Sequence, residues 1–345
     1  MLKVEDTDMH AKFYSERRTR CTTRFQDLCI TLSLMMAAIS TTNAQDAPYP
    51  SKLVRFIVGQ APGGATDIVG RMVAAKLTDA LGQNFFVENR TGAAGSIAAA
   101  AVAKSPPDGY TILVVSSSYS INPSLNIALP FDPQKDLTAV SLLAEAPFLL
   151  VVHPSVPAKS VKDFIALANN KRATVTYGSG GNGSSGHLAG ALFESAAGVK
   201  LAHIPYKGAG QALIDVVAGQ ITCVFGSVLS STPHVNQGRL RVLAVTGTKR
   251  TAALPNAPTV AEAGVRNYSA SSWYGLLAPG GSPRTIIDRL SVEAGKAIMS
   301  GDLKSRLLTD GADPVGSNPS TFQKHIAVEI DKWRKVIKAA GVSSD

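Results

Sequence analysis

Two segments of the sequence concentrate groups that hold anions. Ala61-Pro62-Gly63-Gly64-Ala65-Thr66-Asp67 joins a short apolar run to a helix-forming stretch, and Tyr177-Gly178-Ser179-Gly180-Gly181-Asn182-Gly183-Ser184-Ser185-Gly186-His187 does the same later in the chain. Glycines let the main chain approach a ligand closely, and unpaired amides at a helix start attract negative charge. Thr66, Ser184 and Ser185 add hydroxyls, and Thr66 or Asp67 is placed to cap the first helix. Neither loop carries Lys or Arg, so the pair suits a carboxylate held by neutral donors. For the first loop, a tight turn with a good cap is an equally simple reading, and spacing alone does not choose between them.

Other chemistries fit these residues less well. Gly178, Gly180 and Gly183 satisfy GxGxxG, which raises a nucleotide-binding α/β enzyme as a rival. The acid expected about 20 residues further on is missing, because the following strand reads Leu201-Ala202-His203-Ile204. No GxxxxGK[ST] occurs, and Ser184 and Ser185 lack a GxSxG frame. His153, His187, His203 and His234 have no HxH, HExxH or CxxC company, so no metal site is expected. Cys223, in the apolar stretch Ile221–Phe225, reads as a small core residue and not as a nucleophile.

The elements that position the loops follow from the alternation of β-branched runs with longer Ala- and Leu-rich stretches. Leu53–Val58, Phe85–Glu88, Thr111–Val115, Phe148–Val152, Val175–Tyr177, Leu201–Ile204, Cys223–Phe225 and Val242–Thr246 read as strands. Ile68–Leu81, Val161–Asn169, His187–Ala197, Ala209–Ala218, Pro283–Met299 and Thr321–Ala340 read as helices, with Ser160 and Asp163 forming a capping box. This is the rhythm of an α/β sheet with covering helices, and such sheets bind ligands where strands hand over to helices.

The chain has 345 residues, 45% of them hydrophobic, enough for roughly two domains. Lys12, Arg17, Arg18, Arg20 and Arg24 precede the apolar run Leu28–Ile39 and the small or polar stretch Ser40–Ala44, the order of a secretory signal peptide over residues 1–44. Beyond it no apolar run is long enough to span a bilayer. With Cys21 and Cys29 in that segment, Cys223 would be alone after cleavage, so no intramolecular disulfide is expected. The first 44 residues hold 6 basic and 5 acidic residues, so the remainder keeps 8 of the chain's 9 net positive charges. That field favours anionic ligands. The basic residues fall in scattered pairs without interleaved aromatics, which argues against nucleic acid.

A set of ordered motifs then carries a specific likeness. PGGATD at Pro62–Asp67, Phe86-Val87-Glu88-Asn89-Arg90-Thr91-Gly92, Pro107-Asp108-Gly109-Tyr110-Thr111, the Tyr177–Gly183 loop, His203-Ile204-Pro205-Tyr206-Lys207-Gly208, Pro258-Thr259-Val260-Ala261-Glu262-Ala263-Gly264 and Trp273-Tyr274-Gly275-Leu276-Leu277-Ala278-Pro279 run from about Tyr49 to Gly341. Together they resemble the Bug-type receptors of tripartite tricarboxylate transporters. The resemblance implies a two-lobed type II periplasmic-binding-protein fold. One lobe is expected at residues 47–147 plus 272–345 and the other at 148–271. It also implies that the loop at Gly63, Gly64, Ala65, Thr66 and Asp67 faces the loop holding Ser179, Gly183, Ser184 and Ser185, with Ser116 and Gly226 completing the ligand site. The expected function is an exported, periplasmic, monomeric receptor that delivers a small organic carboxylate to membrane transporter subunits, with no catalytic residue, metal or cofactor. A receptor presenting its ligand to a membrane sensor kinase is the alternative from another class. The chain departs from the family's usual pattern at Gly59-Gln60-Ala61, Ala191 and Gly226.

Overall fold

The computed structural model describes residues 49–125, 129–170 and 172–340. The chain divides into two units at Tyr49/Pro50, and the second of them is built on two linked sheets. The expected export signal at 1–44, with Cys21 and Cys29, lies outside the described residues.

The first sheet begins with β1 (Val54–Val58), α1 (Ala65–Leu81), β2 (Phe85–Asn89), α2 (Ser96–Ala103) and β3 (Thr111–Ser116), a short helical turn α3 (Ser118–Ile121), and the long β4 (Leu137–Val152). β2, β1 and β3 run parallel, each joined to the next in sequence through a helix, as parallel neighbours need a crossover connection. The second sheet holds α4 (Val161–Ala168), β5 (Thr176–Ser179), α5 (Ser185–Ala197), β6 (Ala202–Pro205), α6 (Ala209–Val217), β7 (Cys223–Ser227), α7 (Val228–Asn236) and β8 (Arg241–Val245). The chain returns through β9 (Ser271–Pro279), α8 (Arg284–Met299), α9 (Gly301–Thr309), the two-residue β10 (Asp313–Pro314) and α10 (Pro319–Ala340).

β4 links the sheets. Leu137–Pro147 pairs antiparallel with β9 in the first sheet, and Phe148–Val152 pairs with β7 and β8 in the second. Proline cannot donate to a ladder, so Pro147 sits where the strand exchanges one partner for another. Two register shifts in the β4–β9 pairing, Ala139/Ser141 and Leu142/Ala144, bend the strand on its way. Each sheet carries its own core: Leu113, Leu142, Trp273 and Phe322 in the first, and Leu150, Phe164, Tyr177, Phe193 and Phe225 in the second. A smaller cluster packs Leu188 of α5 against Ile121, Leu125, Trp333 and Ile337.

The predicted strands and helices all appear, with ends moved by one to three residues, and Phe148–Val152 as the second part of β4. The capping box forms, Asp163 N donating to Ser160 Oγ at 3.1 Å. Among the described residues α2, α3, α7, α9, β9, β10 and the first eleven residues of β4 have no counterpart among the elements read from the sequence; for β9 and the start of β4 the reason is that a strand buried on both faces shows no alternation.

Candidate functional site

Helix starts from both sheets surround one cleft of about 750 Å³, its open mouth included. On the first side the Ala61–Gly64 turn leads into α1, whose N-cap, Gly64, has no side-chain cap. An α-helix leaves its first amides without intrahelical partners, so those of Ala65 and Thr66 remain for a ligand. The capping role expected of Thr66 or Asp67 is not what forms, since both lie inside the first turn. Asp67 instead reaches back to accept from Gly63 N at 3.1 Å and is held by Arg71 and Asn89. Asn89 Nδ2 also donates to Gln60 O at 2.9 Å, fixing the whole turn onto the end of β2. Burial raises the Asp67 pKa, but the hydrogen bonds from Arg71, Asn89 and Gly63 N outweigh it and leave the carboxyl below its ordinary range. Asp67 is therefore ionised and structurally committed.

On the opposite side Ser184 caps α5, its Oγ accepting from His187 N at 3.3 Å. Ser185 enters a hydroxyl network that crosses the molecule. Its Oγ lies 2.8 Å from Ser117 Oγ and 3.1 Å from Ser118 Oγ, and Ser185 N donates to Ser118 Oγ at 3.2 Å. Ser117 Oγ continues to Ser272 Oγ at 3.0 Å, and Ser227 Oγ meets Tyr274 OH at the same distance. α6 supplies a third helix start, uncapped like that of α1, at Gly208, with Ala209 on the cleft wall.

Of the residues expected at the site, Gly64, Ala65, Thr66, Ser116, Ser179, Ser184, Ser185 and Gly226 line this cleft. Gly63, Asp67 and Gly183 are not among its lining residues: Asp67 is turned onto Arg71, and Gly183 donates its amide to His187 Nδ1 at 3.2 Å. Ser179 lines the cleft, yet its hydroxyl is used within its own lobe, 2.6 Å from His203 Nε2 and 3.1–3.2 Å from the O and N of Gly181. Behind it the His187 and His203 rings stack at 4.1 Å. Burial pushes both imidazoles down to about 4, His203 also through its neighbour His187. With Gly183 N donating to it, His187 Nδ1 is unprotonated, so the pair is neutral near pH 7.

Ser118, Ser272 and Tyr274 line the cleft without having been named as site residues, and Ser117 joins them through its hydrogen bonds to Ser185 and Ser272; Ala209 comes from the Gly208–Gly210 turn, one of the glycine-rich strand-to-helix turns of the sequence. The signal present was the serine run Ser116-Ser117-Ser118 at the end of a predicted strand, where α/β sheets place ligand contacts. No charged side chain lines the cleft among the described residues; its flank consists of Phe148, Ala212, Leu213, Val224 and Phe225. Among the described residues no group of three or more His, Cys, Asp or Glu side chains is arranged to hold a metal ion. Cys223 is fully buried in the second core, and burial pushes its thiol pKa up.

Two α/β lobes, linked by β4 and by the return into β9, with a cleft of helix starts between them, define a periplasmic-binding-protein architecture. Within that class the chain belongs to the tripartite tricarboxylate transporter receptor family, whose model matches residues 69–342. Protein BugT of Bordetella pertussis is 35% identical over 295 residues, covering 85% of this chain and 90% of that protein. Two solved structures from Rhodopseudomonas palustris superpose closely. Rpa4515 with adipate has a TM-score of 0.83 at 37% identity, over 86% of this chain and 99% of that one. MatC with bound malate has a TM-score of 0.80 at 30% identity, over 84% and 100%. The chain is thus a solute-binding receptor in fold and family.

Proposed function

We propose that this receptor captures a small organic carboxylate between its lobes in the periplasm and delivers it, as a monomer, to the membrane subunits of a tripartite transporter. The observation that carries the reading is the convergence of uncapped or hydroxyl-capped helix starts, α1 from one lobe and α5 and α6 from the other, on a cleft without charged lining side chains. Such amides stabilise a carboxylate as fixed partial positive charges, with no basic side chain needed. Solved relatives bound to adipate and malate point to the same ligand class.

The contacts assigned to the carboxylate are the amides of Ala65 and Thr66, the hydroxyls of Thr66 and Ser184, and the first turns of α5 and α6. Gly64, Ser116 and Gly226 shape the walls. The flank of Phe148, Leu213 and Phe225 takes the ligand's carbon body. We place the lobe boundaries at 147/148 and 271/272, supported by the change of partners along β4 and by the start of β9 at Ser271. Export rests on the basic, apolar and small-residue order of residues 1–44.

A thermal-shift screen of mono-, di- and tricarboxylates, followed by calorimetry on the hits, tests the proposal. A cognate acid present at ~100 times its Kd stabilises the protein by about 2.7 kcal/mol. If no carboxylate raises the melting temperature while a nucleotide or metal ion does, the reading is wrong.

A further inference from the structure

Where the two lobes touch beside the cleft, two glycines of one lobe lie against a turn of the other. The Ala61–Gly64 turn of the first lobe lies against Gly208-Ala209-Gly210, the start of α6 in the second. A Cβ built on Gly208 would stand 2.5 Å from Ala61 Cβ and 2.7 Å from Ala61 N. One built on Gly210 would stand 2.8 Å from Pro62 O and 3.5 Å from Gly64 N. Contacts below 3.0 Å are closer than Cβ atoms pack, and here the atoms met include backbone, which has no rotamer to yield.

Conformation does not explain these glycines. Gly208 has φ 173, extended backbone open to any residue, and Gly210 lies within the first turn of a helix, where Ala is the better helix former. What remains is space between the lobes. The α6 start is also tied firmly to its own lobe, through Tyr206 N to Ser179 O at 3.1 Å and Tyr206 OH to Asp215 Oδ2 at 2.6 Å. It therefore moves with that lobe as a unit, and any side chain added to it would be carried into the opposing turn.

We infer that Gly208 and Gly210 set how tightly the lobes seal over the ligand: having no side chain, they let the α6 start reach the Ala61–Gly64 turn and bring its amides to the carboxylate held by α1. They are positioning residues, and the inference rests on the carboxylate reading of the cleft. In the seated arrangement α1 and α6 present their helix starts to the same anion from opposite lobes, so ligand charge itself favours closure. Prising the turn and the helix apart removes that coupling while leaving each lobe folded.

The test uses Gly208→Ala and Gly210→Ala, with Gly301→Ala as control, since a Cβ there meets nothing within 4 Å. Adipate and malate serve as probes. Calorimetry measures their Kd, small-angle scattering measures compaction on adding them, and melting without ligand reports the fold. Both cleft variants should bind about tenfold or more weakly and compact less, while melting unliganded at or above the wild-type temperature; Gly301→Ala should match wild type. A purely structural role would instead lower the unliganded melting temperature, and that outcome overturns the inference. So does wild-type affinity and compaction in both variants, which would leave the carboxylate reading standing. Failure of the wild type to bind any carboxylate in the wider screen removes that reading and the inference with it.

Discussion

Ser117 Oγ and Ser185 Oγ lie 2.8 Å apart although 68 positions separate them in sequence. Ser117 follows the last residue of β3 in the first lobe, and Ser185 is the first residue of α5 in the second. Their hydrogen bond is a buried polar link between the lobes, and Ser118 and Ser272, which line the cleft, extend it. Ser185→Ala removes this link without disturbing the Ser184 cap. It should reduce carboxylate affinity roughly fivefold, about 1 kcal/mol for a neutral hydrogen bond. Calorimetry beside Lys338→Ala, a substitution far along α10, measures the loss; affinity equal to that control would show that the serine bridge is irrelevant to binding.

Thr66 and Ser184 should separate binding from folding. Thr66 lines the cleft and its Oγ1 has no hydrogen-bond partner among the described residues, whereas Ser184 Oγ already caps α5. Thr66→Ala should weaken the ligand roughly ten- to a hundredfold, from about 1.5–3 kcal/mol for a bond to a charged group, and leave the unliganded melting temperature unchanged. Ser184→Ala should weaken binding too, and also cost about 1 kcal/mol of stability through the lost cap. Paired melting and titration curves check the contrast, and two variants behaving alike would contradict it.

How far the sequence displays this site depends on the kind of signal each residue leaves. PGGATD and the Tyr177–Ser185 loop announce two helix starts because glycine and hydroxyl clusters between an apolar run and a helical one have few other uses. Asp67 misleads: a carboxylate in a ligand loop looks like a contact, but whether it faces the ligand depends on Arg71 and Asn89, four and 22 positions away. Ser272 and Tyr274 are hidden for a different reason. They sit on β9, whose residues are buried on both faces, so no alternation marks which side chains meet the cleft. The pairing of Gly208 with Ala61 is a contact between lobes, and local pattern carries no information about it.

Cys223 should be dispensable for binding. It is fully buried in β7, beside Thr176 O at 3.6 Å, and burial raises its thiol pKa. A thiol reagent should fail to label the folded protein and label it once it is unfolded. Cys223→Ala should leave ligand affinity intact and cost about 1 kcal/mol of stability from the lost side-chain packing. Loss of binding with the melting transition preserved would reopen a functional role for the thiol.

The stacked His187–His203 pair makes stability pH-dependent in a defined window. Both imidazoles are pushed down to about 4 in the folded protein, from 6.5 for the free side chain, so between these values the unfolded chain binds more protons. Stability must then fall as pH falls. Above about 6.5 both states hold neutral rings and the pair contributes no pH dependence. From 6.5 down toward 4 the penalty grows, and below 4 it is fully expressed. Because His203 Nε2 lies 2.6 Å from Ser179 Oγ and His187 Nδ1 accepts from Gly183 N, protonation also disturbs the loop that leads into α5. His187→Gln removes one titrating ring and relieves the other of its neighbour's charge. Melting temperatures measured from about pH 7.5 to 4 should decline less steeply in this variant than in wild type between pH 6.5 and 4, with the two curves parallel above that range. Carboxylates that titrate near pH 4 act in both proteins, so the difference between the curves is the quantity to read. Parallel curves over the whole range would show that the pair does not govern acid stability.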